Sequence, residues 1–136
     1  MLTEQQKELV AWQALQEFDE KPFDWNGSAD CCALANKILG IFHGKDFLSE
    51  FIYSNKAEAL REIKKYGDLL GAVTHALGPP QDADPSEMQN ADILLAMQES
   101  GEWIVGFYFL GCMCVPGRDG VINWPPEAAV HMWRPT

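Results

Sequence analysis

Between Glu4 and Asp19 the apolar residues Ala11, Ala14, Leu15 and Phe18 fall on one face of a helical repeat. Thr3 followed by Gln6 supplies a capping-box pattern ahead of it. Lys21 to Ala29 reads as a loop, with Pro22, Asn26, Gly27 and Ser28 as turn formers. Phe23 and Trp25 are large for a loop, which predicts that they pack as a lid on the next helix. Asp30 can cap that helix, Cys31 to about His43, and Gly44 suits its C′ position. Its apolar residues run nearly all round, from Cys31 and Leu34 to Ile41 and Phe42, so it is expected to be central and buried.

The next segments alternate charge and apolarity at helical spacing. Ser54 or Asn55 opens a helix through Lys65 with a charged face of Lys56, Glu58, Arg61, Glu62 and Lys65. Asp68 caps a shorter one to about Leu77, stopped by Gly78-Pro79-Pro80. Residues 81–90 read as a polar loop. After Asn90 the pattern changes to strands: Asp92–Met97, Trp103–Leu110, Cys112–Val115 and Val121–Trp124, with turns at Gly101 and at Pro116–Gly120. Pro125-Pro126 predicts a last short helix, Glu127 to Trp133. Helices followed by an antiparallel sheet define an α+β domain. The helical part is expected over about residues 1–80 and the sheet over about 91–136, in one domain spanning 1–136.

Charge narrows the partners. Twenty acidic residues against ten basic ones give a net charge of −10, which repels a phosphate backbone and an anionic membrane alike. Neither nucleic acid nor membrane is expected as a partner, and a basic protein surface is. The N-terminal residues MLTEQQKELV lack the basic and apolar regions of a secretory signal, which predicts synthesis in the cytoplasm and no export by that route. The apolar run Trp103–Leu110 is too short to span a bilayer. The four cysteines, Cys31-Cys32 and Cys112-x-Cys114, lack the Cys-x-x-Cys spacing of a zinc site, so no metal and no cofactor are expected.

Cys31 is the sharpest chemical candidate. At the first turn of a helix, free N–H groups and the helix dipole stabilise a thiolate, the form that acts as nucleophile. A small apolar residue at a helix start is the plain alternative. A base is also required. His43 lies twelve residues along the same helix, about 18 Å away at the helical rise, and cannot serve. His75 and His131 have no evident orienting acid in sequence. Trp25, Trp103, Phe107, Tyr108, Trp124 and Trp133 are core or groove-lining aromatics.

The order Phe23-Asp-Trp25, Asp30-Cys31, buried helix, Gly44-x-Asp46, Ala91-Asp92-Ile-Leu-Leu, Val105-Gly106-Phe107, Gly120-Val121 and Ala128 to Trp133 resembles a family of small phage and prophage proteins of unknown function. Those in turn look like relatives of the NlpC-type papain-like cell-wall hydrolases. The resemblance runs from about Leu9 to Trp133. It implies a papain-like fold with Asp30-Cys31 at the place of the nucleophile. Ala91-Asp92 matches only in part the Gly-Asp that precedes the first strand. The general base of the hydrolases is a His opening the second strand in a His-Val-Gly-Ile-Tyr-like motif. Here the stretch reads Ile104-Val105-Gly106-Phe107-Tyr108, so Ile104 stands at the base position, expected beside Cys31.

A thiolate without its base lacks the proton acceptor and donor that amide cleavage needs. The resemblance therefore implies a catalytically silent structural or assembly part of a phage tail, near the tail tip. Its partners would be other tail proteins and possibly peptidoglycan, and its location the virion tail after synthesis in the host cytoplasm. The alternative is an active cysteine peptidase or amidase acting on peptidoglycan stem peptides, with a base from His75, His131 or a partner chain. Trp25 and Trp103 are the expected anchors of a binding surface, since aromatics dominate interface hot spots.

Overall fold

The structure, a computed structural model, describes residues 2–19, 31–46, 51, 53, 55–117 and 120–134. Four helices come first: α1 (Glu4–Asp19), α2 (Cys31–His43), α3 (Lys56–Lys64) and α4 (Leu69–Leu77). Six strands follow: β1 (Gln81–Asp82), β2 (Ile93–Met97), β3 (Trp103–Phe109), β4 (Cys112–Gly117), β5 (Gly120–Trp124) and β6 (Ala129–Trp133). They form one sheet in the order β1-β6-β2-β3-β4-β5, and every neighbouring pair is antiparallel. This is the α+β architecture that the change of periodicity predicts.

Local sequence sets the helix ends. The Thr3 amide donates to Gln6 Oε1 at 2.8 Å and the Gln6 amide to Thr3 Oγ1 at 3.1 Å, so both halves of the capping box form. Asn55 caps α3 through the Glu58 amide, and Asp68 caps α4 through the Gly71 amide, each at 2.9 Å. Gly44 ends α2 at φ +65°, a left-handed position that glycine enters without a Cβ clash.

Strand alternation sorts the core into two layers. The main cluster joins Ala11, Ala14 and Leu15 of α1, Leu34, Ala35, Ile38, Leu39 and Phe42 of α2 and Val73 of α4 to one sheet face. That face presents Ile93 and Leu95 of β2, Val105, Phe107 and Phe109 of β3, and Trp133 of β6. The intervening residues Leu94, Ala96, Met113, Val115 and Met132 build a second cluster on the other face, with Met88, and no helix α1–α4 contributes to it. Gly106 belongs to this arrangement: a Cβ there would stand 2.4 Å from the Cys114 carbonyl oxygen and 2.7 Å from Val115 Cγ1, so β3 and β4 meet closely only over a glycine.

Two expectations are corrected. The C-terminal segment is not a helix over Glu127–Trp133. After a 3-10 turn at Pro126–Ala128 it becomes β6 and fills the place between β1 and β2. A helix of some seven residues has almost no intrinsic stability. Pairing with β2 instead satisfies the backbone and buries Met132 and Trp133 on opposite faces. Within the expected polar loop 81–90, Gln81 and Asp82 form β1, so the sheet begins before Asn90, and Pro85–Glu87 is a 3-10 turn.

Candidate functional site

The site suggested by the sequence is the start of α2, where Cys31 is the first helical residue. Its side chain, like Asp30, Phe23 and Trp25, lies outside the described residues, and with them the expected lid and the Trp25 anchor. The helix packs along β3, and near its C-terminal end the Phe42 ring meets Phe109, the last residue of the strand, at 6.4 Å between centroids. Its N-terminus therefore points toward the opening of β3.

Ile104, expected at the base position beside Cys31, packs against the second cluster, on the face turned away from α2. The residues of the β3 opening that pack into the main cluster are Trp103 and Val105. Side chains alternate along a strand, so one residue of offset decides the face. No histidine occurs on β3 or β4.

The three histidines occupy separate places. His43 ends α2, and its Nε2 is buried without a hydrogen-bond partner. Burial lowers its pKa from 6.5, opposed by nearby Asp92 and Glu4 and reinforced by Lys7 and Lys45. His75 is stacked on Tyr66 at 4.5 Å, and Tyr66 meets Phe51 edge-on at 5.8 Å. His131 does not lie on a helix, as the sequence suggests, but on β6, cross-strand from Asp82 on one side and Leu95 on the other.

His131 also brings an imidazole toward the opening of β3. Its ring lies 5.7 Å from Trp103 and 6.5 Å from Trp133, and its Nδ1 is buried without a hydrogen-bond partner among the described residues. Both indoles are held from above by α4: Trp103 Nε1 donates to Asp68 Oδ2 at 3.1 Å, and Trp133 Nε1 to the Gly78 carbonyl at 2.8 Å. Trp103 is thus half-buried and tied to a helix cap. Sequence reasoning missed this grouping because it rests on the strand β6. It also assigned nothing to Trp12, which is 51% exposed on α1.

Burial removes one further thiol from nucleophilic chemistry. Cys112 and Cys114 are free thiols, and burial, with Cys112 nearby, pushes the Cys114 thiol up to about 12. A thiol held neutral at physiological pH is chemically inert. Among the described residues no group of three or more His, Cys, Asp or Glu side chains is placed to hold a metal ion, and no helix is long and apolar enough to cross a membrane.

A helix bearing an Asp-Cys start, laid along an antiparallel sheet with its N-terminus at a strand opening, is an NlpC/p60-type papain-like fold. The chain is similar to the crystal structure of the NlpC/p60 domain of the peptidoglycan hydrolase SagA, with a TM-score of 0.54 and 12% identity over 93% of this chain and 97% of that one. At that identity the likeness establishes the fold and no more. The chain itself belongs to the family DUF6950, a domain of unknown function, whose model matches residues 3–135. No curated protein matches it.

Proposed function

We propose that this chain is a catalytically silent NlpC-like domain that serves as a structural or assembly component of a phage tail, near the tail tip. The observation that carries the silent reading is the β3 opening. The sequence keeps Asp30-Cys31 at the nucleophile position, whereas the residues of the β3 opening that pack on the α2 side are Trp103 and Val105, and β3 carries no histidine. Thiolate attack on an amide needs a group that delivers a proton to the leaving nitrogen, and an aliphatic side chain has none. The tail setting rests on the sequence resemblance to small phage and prophage proteins. The −10 charge suits a protein kept soluble until it meets a basic partner in the assembly.

Purified protein incubated with peptidoglycan and with small peptide amides is expected to release no product, and Cys31→Ala to behave identically. Turnover that disappears in Cys31→Ala overturns the silent reading. Loss of the protein from tails isolated by density gradient would overturn the tail assignment separately.

One observation favours the second reading, an active cysteine hydrolase on peptidoglycan stem peptides. His131 brings a buried, unpartnered Nδ1 beside Trp103 at the opening of the same strand. In that case turnover is present and is lost in both Cys31→Ala and His131→Ala.

A further inference from the structure

The exposed face of α3 breaks the acidic character of the surface. Ala57, Leu60, Arg61 and Lys64 follow one another at helical spacing on that face, and all four are exposed, Leu60 by 49%. Lys65 is engaged by Glu62 at 2.9 Å, but Arg61 and Lys64 have no ion-pair partner among the described residues. The turn between β2 and β3 carries the opposite charge. Glu99 and Glu102 are exposed there without a cationic partner among the described residues, beside Met97, which is 44% exposed.

The two patches sit at the same end of the molecule. Lys64 accepts the Gly67 amide at 3.1 Å in the tight turn after α3, and the next residue, Asp68, binds the Trp103 indole at 3.1 Å. Trp103 directly follows Glu102. A basic-apolar patch and an acidic-apolar patch side by side form a self-complementary surface, the property an isologous two-fold contact requires. The patch is itself neutral, so the rest of the surface carries the whole charge of −10. Copies meeting through purely acidic faces set acid against acid, whereas here opposite charge faces opposite charge.

We propose that a second copy of this chain docks on this surface across a two-fold axis. Arg61 and Lys64 of each copy face Glu99 and Glu102 of the other, and Leu60 packs against Met97. The contact is independent of whether the chain is an enzyme and of the tail assignment.

Sedimentation velocity across a protein concentration series tests it. Wild type is expected to form a dimer that dissociates as salt rises toward about 1 M, where charges more than about 3 Å apart are screened. The double variants Arg61→Glu/Lys64→Glu and Glu99→Lys/Glu102→Lys are each expected to weaken self-association at least about tenfold, since like charges then face each other. Mixing the two is expected to restore a dimer, because one now carries only acidic patches and the other only basic ones. The substituted side chains are exposed, and circular dichroism of each variant confirms that it is folded before the mixing experiment. A wild type that is monomeric at every concentration and salt overturns the proposal. So does a dimer indifferent to both double variants, or a mixture of folded variants that stays monomeric.

Discussion

The Arg134 guanidinium grips the Asp92 carboxylate at both oxygens, with Nε 3.0 Å from Oδ1 and Nη2 2.8 Å from Oδ2. Asp92 is 1% exposed and also accepts the Gln89 amide at 2.9 Å, while Arg134 Nη2 further donates to the Glu87 carbonyl. The pair ties the end of β6 to the start of β2 and to the turn before it. A bidentate, hydrogen-bonded pair of this kind is costly to break from one side, because the remaining carboxylate is left buried without a counterion.

Asp92→Leu and Arg134→Met are therefore each expected to destabilise by about 3–5 kcal/mol, the usual cost of removing one partner of a buried pair. The double variant Asp92→Leu/Arg134→Met is expected to recover part of that loss, since no charge stays buried. Urea unfolding of the four proteins as a double-mutant cycle measures the coupling. Additive losses would show that the pair contributes no mutual stabilisation.

Trp103 and Trp12 separate structural from surface tryptophans. Trp103→Ala removes packing on the main cluster and strands the Asp68 acceptor, and roughly 3 kcal/mol of stability is expected to go with it. Trp103→Phe should lose only about 1 kcal/mol, mostly the hydrogen bond. Trp12→Ala, at a residue 51% exposed, is expected to change stability by no more than about 0.5 kcal/mol. Thermal melts of the three variants distinguish these outcomes, and an unchanged midpoint in Trp103→Ala would instead favour its use as an interface anchor.

His43 gives the fold a pH dependence of definite sign. Its pKa is lowered in the folded protein, mainly by burial, below its ordinary value of 6.5. The unfolded chain then binds the proton more readily, so stability rises with pH between the folded pKa and about 6.5. It is fully present above that window and is lost as pH falls through it toward the folded pKa. Glu4 and Asp92 oppose the shift, and Lys7 and Lys45 add to it. His43→Leu is expected to flatten the slope of unfolding free energy against pH in the window just below about 6.5 relative to wild type. Parallel slopes for the two proteins would dismiss His43 as the source.

The β3–β4 hairpin contains a correctable strain. Phe109 pairs with Cys112, leaving Leu110 and Gly111 as a two-residue loop with φ +48° and +89°. Positive φ at both central residues is the type I′ arrangement, which suits Asn-Gly and not Leu-Gly. Leu110 is 57% exposed, so replacing it forfeits little packing. Leu110→Asn is expected to stabilise by about 0.5–1 kcal/mol, read from the urea midpoint at constant slope. A lower midpoint would mean that the Leu110 side chain makes a contact worth more than the strain.

The sequence by itself determined the local elements. Glu4–Asp19, Cys31–His43 and the Asn55- and Asp68-capped helices stand where side-chain caps and apolar periodicity put them, because those signals act over three or four residues. The four strands from Asp92 to Trp124 were legible by alternation and turn residues for the same reason. It also supplied the Asp30-Cys31 helix start and the missing strand histidine, both matters of residue identity.

Tertiary structure decided what depends on distant partners. The segment 129–133 could pair with β2 or coil into a helix, and only the open edge of β2 settled it as a strand. That choice carried His131 from a supposed helix to a place between Trp103 and Trp133. The face of Ile104 depended on β3 register, which side-chain alternation makes an all-or-none property. The Asp92–Arg134 pair joins residues 42 apart in sequence and leaves no local signature, because its energy comes from burial that the folded chain alone creates.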